Sequence, residues 1–240
     1  MLRVDNLETF NWEGATRGMR NAYGSWDKAD SFWKLSSDAT HMDWVYGEND
    51  LKLACGLGNA NRASHGKFLR QLIINCDITA PLYWWKQFDT YKVGTVANSE
   101  STMHTLMKKP LSIKDFSHEK ITTVDALLPS DIEIPSRDVM ADVIGTINHY
   151  ISMYQQTKEK SYFDAVVQLL PESFNQLRTV TLNYQVAKDI WIDRHLHKLQ
   201  EWHILCGIFV KKLPYFREIC LGDYPDSTIE AVTPKSASDE

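Results

Sequence analysis

The segment 82–101 constrains the fold of this chain most, because an aromatic helix end leads there into a run of polar residues. Apolar side chains recur at every third position and predict one buried helix stripe, at Leu82, Trp85 and Phe88. Pro81 suits the first turn of this helix and Thr79 can cap it, whereas Gly94 breaks the pattern and returns the chain to extended structure. The polar residues that follow can each hydrogen-bond a ligand: Asn98, Ser99, Glu100 and Ser101.

Apolar patterns predict a mixture of helices and strands in the rest of the chain. A run of branched apolar residues at 68–78 and an alternating pattern at 178–182 predict strands, and the sequence of 108–137 predicts a loop. Helices are predicted at 27–34, 47–56, 137–158, 162–170, 186–192 and 198–213. We therefore expect an α+β fold in which helices pack on a small mixed or antiparallel sheet and helix exceeds strand. We expect one domain over 1–224 and a mobile acidic, Ser-rich tail at 225–240.

Composition and charge narrow the classes of protein to which this chain can belong. It has 240 residues, of which 43% are hydrophobic and 24% charged, as in ordinary globular proteins. The net charge of −5 argues against nucleic-acid binding, and no apolar run approaches the roughly 18 residues that span a bilayer. The four cysteines lack zinc or disulfide spacing, and no secretory signal is visible. We therefore expect a cytoplasmic protein with reduced thiols.

Two regions of the sequence resemble the flavin-dependent thymidylate synthases, the ThyX family. In that family a Trp-x-Gln helix leads through Arg-His-Arg to Asn-Glu-x-Ser-x-Arg-Tyr. Here Trp85 and Gln87, then Asn98 and Ser101, stand in this frame. Further matches follow the order of the family's Leu-Pro, Asn, Leu-Arg and His-Ala-Gln motifs: Leu170-Pro171, Asn183, Arg194 and Gln200. The two regions cover residues 65–104 and 137–215.

The resemblance implies a ThyX-like fold with a site for a deoxyuridine-type nucleotide. It implies that Gln87, Ser99 and Ser101 bind the nucleotide and that Arg194 contacts and polarises the pyrimidine ring. It places four residues on the FAD side: Lys92, Asn98, Asn183 and Gln200. In the family, FAD and methylene-tetrahydrofolate convert dUMP to dTMP, and homotetramers share their sites between subunits. We therefore also expect a homo-oligomer.

Several charged residues of the family pattern are replaced in this chain. Thr90-Tyr91-Lys92 stands in place of Arg-His-Arg, and arginine is also missing at Met103, Val167 and Gln185. A hydrogen bond to a charged group contributes about 1.5–3 kcal/mol. These losses therefore predict weaker binding of dUMP and FAD, unless other residues replace the arginines or the ligand differs.

Three functional hypotheses follow from these residues. The first is an FAD-dependent enzyme that methylates dUMP or makes a related modification at C5. The second is a catalytically inactive scaffold that binds or sequesters a nucleotide or a nucleotide-derived ligand. The third is a purely structural or assembly role, in which the Trp-rich N-terminal half serves as an interaction surface.

Each candidate residue also has an ordinary structural interpretation. Arg194 can form ion pairs at a helix end, Gln87 can face solvent, and the polar residues of 98–101 can form turns and caps. His195 and His197 fall on different helix faces, so the histidines near the C-terminus do not predict a metal site.

Overall fold

The computed structural model describes residues 2–60, 64–120, 125–127, 133–222 and 224–231. The chain divides into two compact units, each made of three separate stretches. Unit 1 consists of Met1–Arg3, Ile78–Thr90 and Asn98–Thr179, and unit 2 consists of Val4–Asp77, Tyr91–Ala97 and Val180–Glu240. The expectation of one domain over 1–224 stays a prediction.

Helix exceeds strand in the described residues, which confirms the predicted α+β class. The helices are α1 (Trp12–Arg20), α2 (Glu48–Gly58), α3 (Leu82–Phe88), α4 (Thr102–Thr105), α5 (Ser136–Thr157), α6 (Lys160–Leu169), α7 (Tyr184–Arg194), α8 (Gln200–Lys212), α9 (Phe216–Cys220) and α10 (Asp226–Ala231). The strands are β1 (Arg3–Phe10), β2 (Phe32–Leu35), β3 (Met42–Val45), β4 (Ile73–Pro81), β5 (Val96–Ser99), β6 (Asp125–Leu127), β7 (Glu133–Pro135) and β8 (Asn175–Asn183). Over these ranges, one sheet has the strand order β1-β4-β8-β5, and β2-β3 and β6-β7 form antiparallel pairs.

Most predicted elements are present with shifted bounds. Pro81 is the N-cap of α3, whereas Thr79 lies inside β4 and does not cap the helix. The C-terminal helices and the second strand correspond to α5 to α8 and β8. Helix α10 lies within the segment that was expected to be a mobile tail, and residues 232–240 of that tail lie outside the described residues.

The segment 27–34 is not a helix, and a buried ion pair in unit 2 gives the reason. Arg20 donates from Nε to Asp50 Oδ1 at 2.6 Å, and both side chains are buried. The other carboxylate oxygen of Asp50 accepts hydrogen bonds from the backbone N–H groups of Asp30 and Ser31, at 3.0 and 2.9 Å. These N–H groups are therefore unavailable to a helix, and the chain forms one 3-10 turn at Trp26–Lys28 before β2.

The core of unit 1 is built around α5. Its buried residues are Met140, Ile144, Ile147 and Ile151. They follow alternating steps of four and three because an α-helix has 3.6 residues per turn. Val139, the residue before Met140, lies outside this buried stripe and is 44% exposed. Helix α6 packs along α5 and contributes the buried Val166 to the same core.

Most of the tryptophans are buried in the core. Six of the eight are buried: Trp12, Trp44, Trp84, Trp85, Trp191 and Trp202. Only Trp26 and Trp33, both in the first 60 residues, are exposed. The interaction hypothesis for the N-terminal region therefore rests on few side chains. No helix in the described part of the chain is long and apolar enough to cross a membrane.

Candidate functional site

Arg194 lies at the end of α7 with its guanidinium group held between aromatic side chains of unit 2. Its Nε donates a hydrogen bond to the hydroxyl of Tyr91 at 3.0 Å. The guanidinium carbon lies 5.0 Å from the ring centroid of Trp202 and 5.7 Å from that of Tyr91. Among the described residues, the terminal nitrogens Nη1 and Nη2 have no hydrogen-bond partner. The side chain is thus oriented through Nε and its rings, and its two-pronged donor end is available to a ligand.

Tyr91 connects Arg194 to a carboxylate. Its hydroxyl accepts from Arg194 and donates to Asp193 Oδ2 at 3.2 Å. Burial raises the pKa of Tyr91, and this effect exceeds the opposing influence of Arg194. The phenol therefore stays protonated and keeps both hydrogen bonds. Asp193 balances the charge of Arg194 through Tyr91, which leaves the guanidinium nitrogens unobstructed.

Residues 197–203, which lead into α8 and include its first turn, add further positive or ionisable groups near Arg194. The ring of His197 meets that of Trp202 edge-on at 6.4 Å, and its Nδ1 accepts the backbone N–H of Leu199 at 3.1 Å. Burial, followed by the charges of Arg194, His203 and Lys198, lowers the pKa of His197. His197 therefore favours the neutral form in an environment that attracts anions. Among the described residues, no group of three or more His, Cys, Asp or Glu side chains could hold a metal ion.

Asn183 and Gly94 approach each other at the start of α7. Asn183 is buried, and its Oδ1 accepts the backbone N–H of Val186 at 3.0 Å, which caps the helix. Gly94 has φ +80°, and a Cβ placed on it would lie 2.6 Å from Asn183 Nδ2. Glycine is therefore required by both the backbone conformation and the available space. Within the described ranges the Asn183 Nδ2 has no hydrogen-bond partner, so its NH2 group remains available to a ligand.

The eight predicted site residues divide between the two units. Unit 2 holds Lys92, Asn183, Arg194 and Gln200, and unit 1 holds Gln87, Asn98, Ser99 and Ser101. In unit 2, Lys92 and Gln200 are exposed. In unit 1, Asn98 and Ser99 are exposed on β5, and Gln87 is half-buried in the last turn of α3. Ser101 is the N-cap of α4, and its carbonyl accepts hydrogen bonds from the Thr105 N–H and hydroxyl, both at 3.0 Å.

Three residues of the Arg194 environment were not predicted from the sequence: Tyr91, Asp193 and Trp202. Tyr91 occupies the middle of the altered triplet, and that position could have marked it as a site residue. From the sequence alone, however, the triplet indicates only a loss of charge. Trp202 lies inside the predicted helix 198–213. It is buried, and its ring contacts Arg194, Tyr91 and His197.

The whole fold is shared with solved structures of nucleotide enzymes. No protein-family model matches the sequence, and no curated protein matches it. The structure of thymidylate synthase X from Helicobacter pylori with FAD and dUMP has a TM-score of 0.62 and 15% identity, and the match covers 96% of this chain and 100% of that one. A second Helicobacter pylori ThyX complex with FAD and dUMP has a TM-score of 0.60 and 16% identity, over 92% of this chain and 98% of that one.

A third structure extends the comparison beyond thymidylate synthases. The UMP/dUMP methylase PolB from Streptomyces cacaoi, bound with 5-Br dUMP, has a TM-score of 0.56 and 12% identity, over 93% of this chain and 96% of that one. Identities this low establish a common fold and leave activity open. This chain therefore has the fold of the flavin-dependent thymidylate synthases.

Proposed function

We propose that this chain binds a deoxyuridine-type nucleotide and that Arg194 contacts its pyrimidine ring. The observation that supports this most is the state of the Arg194 side chain. Tyr91 and Trp202 fix the guanidinium group, while both terminal nitrogens lack a hydrogen-bond partner among the described residues. A planar pair of N–H donors fits a ring carbonyl or a phosphate better than a single ammonium group does.

The surroundings of Arg194 also suit an anionic nucleotide. Lys198 and the two half-buried histidines His197 and His203 add donors or positive charge. The family resemblance also implies nucleotide contacts by Gln87, Ser99 and Ser101, which belong to unit 1 and stay a prediction. The structures with the same fold that bind dUMP or 5-Br dUMP support this ligand class.

The described residues do not fit the diphosphate of FAD. Of the residues proposed for the flavin side, Asn183 uses its carbonyl oxygen as a helix cap and keeps its NH2 group available, whereas Asn98 and Gln200 are uncharged. Gln185, at a position where the family has arginine, donates its amide to Asp189 at 2.9 Å. Only Lys92 supplies a positive charge from this set. The geometry thus favours nucleotide binding without a redox step, as in a scaffold that binds or sequesters its ligand.

A second candidate function is FAD- and methylene-tetrahydrofolate-dependent methylation of dUMP, or a related C5 modification. The retained Arg194 favours it, because an oriented guanidinium can stabilise negative charge that develops on the pyrimidine. This function requires the positive charge for FAD to come from elsewhere, such as a second copy in a homotetramer. Lys108-Lys109 and Lys211-Lys212 are candidates for that charge.

Two measurements on the purified protein test these functions separately. Thermal unfolding with dUMP, dCMP and AMP tests ligand class: we expect dUMP to raise the Tm most, because binding to the folded state stabilises it. If none of the three nucleotides raises the Tm, the proposal of nucleotide binding is wrong.

Absorption near 450 nm after addition of FAD tests whether the protein binds this cofactor. Bound flavin would support the methylation candidate, and a protein that remains colourless would exclude it.

A further inference from the structure

A cleft in unit 2 shares no residue with the Arg194 site. Its volume is about 760 Å³, within the range of ligand-binding clefts. Its walls include residues 7–10 of β1 on one side and residues 41–45, which contain β3, on the other. Trp12 and Tyr215 also line it. None of the functions proposed above uses this cleft.

The cleft faces the edges of two strands. Successive side chains of a strand point to opposite faces, so a cavity against one face meets every second residue. Here, four consecutive residues of β1 and all four residues of β3 line the cleft. Among the described residues, β1 is the terminal strand of its sheet and β3 pairs only with β2. Backbone groups along an unpaired strand edge are ready to pair with another extended chain.

The part of the β1 edge that can pair with a peptide is four residues long. Asn6 and Asn11 have positive φ angles of 49° and 66°, a backbone conformation that extended strands do not adopt. They bound a regular stretch of four residues, Leu7 to Phe10. At about 3.3 Å per residue this stretch extends roughly 13 Å, which matches four residues of a bound peptide.

Apolar side chains on one face of the β2-β3 pair form a wall of this cleft. The antiparallel register places Trp33 opposite Trp44 and Leu35 opposite Met42, so all four share one face, and three of them line the cleft: Trp33, Met42 and Trp44. Trp33, Leu35 and Met42 remain 43%, 54% and 50% exposed, which is unusual for such large apolar groups. Trp44 is buried, and its indole N–H has no hydrogen-bond partner among the described residues.

The charges that line the cleft favour a basic ligand. It contains the carboxylates of Glu8, Asp43 and Glu218 but only one lysine, Lys212. His41 lies 3.1 Å from Asp43 and so occupies one of these carboxylates. In the described part of the chain, Glu8 and Glu218 form no ion pair. An arginine or lysine side chain would find aromatic faces and carboxylates together, which is the combination that binds organic cations.

We propose that this cleft binds an extended, basic peptide segment of a partner protein, which adds to the edge of β1 as a further strand. The backbone of the peptide pairs with Leu7 to Phe10, and an Arg or Lys side chain lies between the Trp33 wall and the carboxylates of Glu8 and Glu218. Strand addition with side-chain pockets is an established mode of peptide recognition.

The test is an NMR titration of the full chain with the capped peptide Ac-Val-Arg-Val-Arg-Val-amide. We expect saturable shifts of the backbone amides of residues 7–10 and 42–45, with a dissociation constant on the order of 1 mM or below. A peptide with N-methylated backbone amides cannot pair as a strand, and the Val-Glu analogue has the wrong charge. Both should bind at least about fivefold more weakly, since each loses one of the two interactions.

Matched variants test the contribution of the carboxylates. Glu8→Gln and Glu218→Gln alter exposed side chains and should each weaken the Arg peptide about two- to fivefold. Glu13→Gln changes an exposed carboxylate of α1 outside the cleft and should have no effect.

Three outcomes would overturn the proposal: no saturable shifts at 7–10, equal binding of all peptides, or equal binding of arginine amide alone. Shifts at 7–10 that depend only on protein concentration would also overturn it, in favour of a second copy of this chain.

Discussion

The hydroxyl of Tyr91 accepts the Nε–H of Arg194 at 3.0 Å across 103 residues of sequence. Tyr91 stands where the family resemblance has a histidine, and its hydroxyl orients the arginine side chain. An arginine fixed in this way loses less rotamer freedom when it binds a ligand. The connection between these two side chains is therefore the basis for assigning a nucleotide site to this chain.

Removing the Tyr91 hydroxyl should weaken nucleotide binding without unfolding the protein. In Tyr91→Phe, Arg194 loses its Nε partner, and one hydrogen bond contributes about 0.5–1.5 kcal/mol. We expect the affinity for dUMP to fall about three- to tenfold, measured by calorimetric titration, while the Tm changes little. Tyr23→Phe, at a tyrosine that is 66% exposed, is the control and should bind as the wild type does. Unchanged affinity in Tyr91→Phe would show that the hydroxyl does not orient Arg194.

The buried pair Arg20–Asp50 should dominate the stability of the N-terminal region. In Asp50→Asn the carboxylate charge is lost while Arg20 stays buried, and breaking such a pair costs about 3–5 kcal/mol. Urea denaturation should show this decrease in the free energy of unfolding. Asp27→Asn, at an exposed position nearby, should change it by less than about 0.5 kcal/mol. A small effect of Asp50→Asn would mean that Arg20 finds other partners or reaches solvent.

A side chain at position 94, where the chain has Gly94, should destabilise the folded protein. In Gly94→Ala the new Cβ would meet Asn183 Nδ2 at a positive φ, so we expect the free energy of unfolding to fall by about 1–3 kcal/mol. Gly56 is a matched control because it lies inside α2 with open space around it. Gly56→Ala should stabilise the protein by about 0.5–1 kcal/mol, measured in the same denaturation experiment. A stable Gly94→Ala variant would contradict the observed backbone conformation.

His197 should make stability depend on pH in a defined direction. Its pKa in the folded chain lies below the ordinary value of 6.5, so the unfolded chain binds more protons between these two values. The contribution of His197 is therefore fully present above pH 6.5 and is lost as the pH falls through its folded pKa. The variant His197→Gln lacks this dependence and should gain stability relative to the wild type as the pH falls from 7 to 5. An identical pH dependence of stability in the wild type and in His197→Gln would contradict the lowered pKa of His197.

The sequence predicted those parts of the fold that depend on local pattern. Helices α5 to α8 follow from apolar spacing, and α3 follows from Pro81 and the aromatic stripe. Strand β1 and helix α1 were missed, because Asn6 and Asn11 interrupt the pattern with left-handed backbone and β1 alternates only weakly. The Asp50 contacts that replace a helix near residue 30 join residues about 20 positions apart, beyond the reach of local pattern.

The same limit applies to the candidate site. Motif order selected Arg194 and Asn183 as candidates, but it could not show that Tyr91 and Trp202 hold Arg194, since these contacts depend on how α7, α8 and residue 91 pack. Nor could it show that Asn183 caps α7 against Gly94. The family resemblance therefore predicted a role for Arg194, whereas its contacts with Tyr91 and Trp202 follow only from the folded structure.

The most direct test is a calorimetric titration of dUMP into the wild type, Arg194→Lys and Arg217→Lys. Lysine keeps the charge of Arg194 but loses the paired donors, and Arg217 is an exposed arginine that pairs with Asp226 in the same unit. We predict that the wild type and Arg217→Lys bind dUMP equally, and that Arg194→Lys binds it about 10- to 100-fold more weakly, with the Tm of the free protein unchanged. Equal binding by all three proteins, or no binding by the wild type, would contradict the assignment of Arg194 to a nucleotide site.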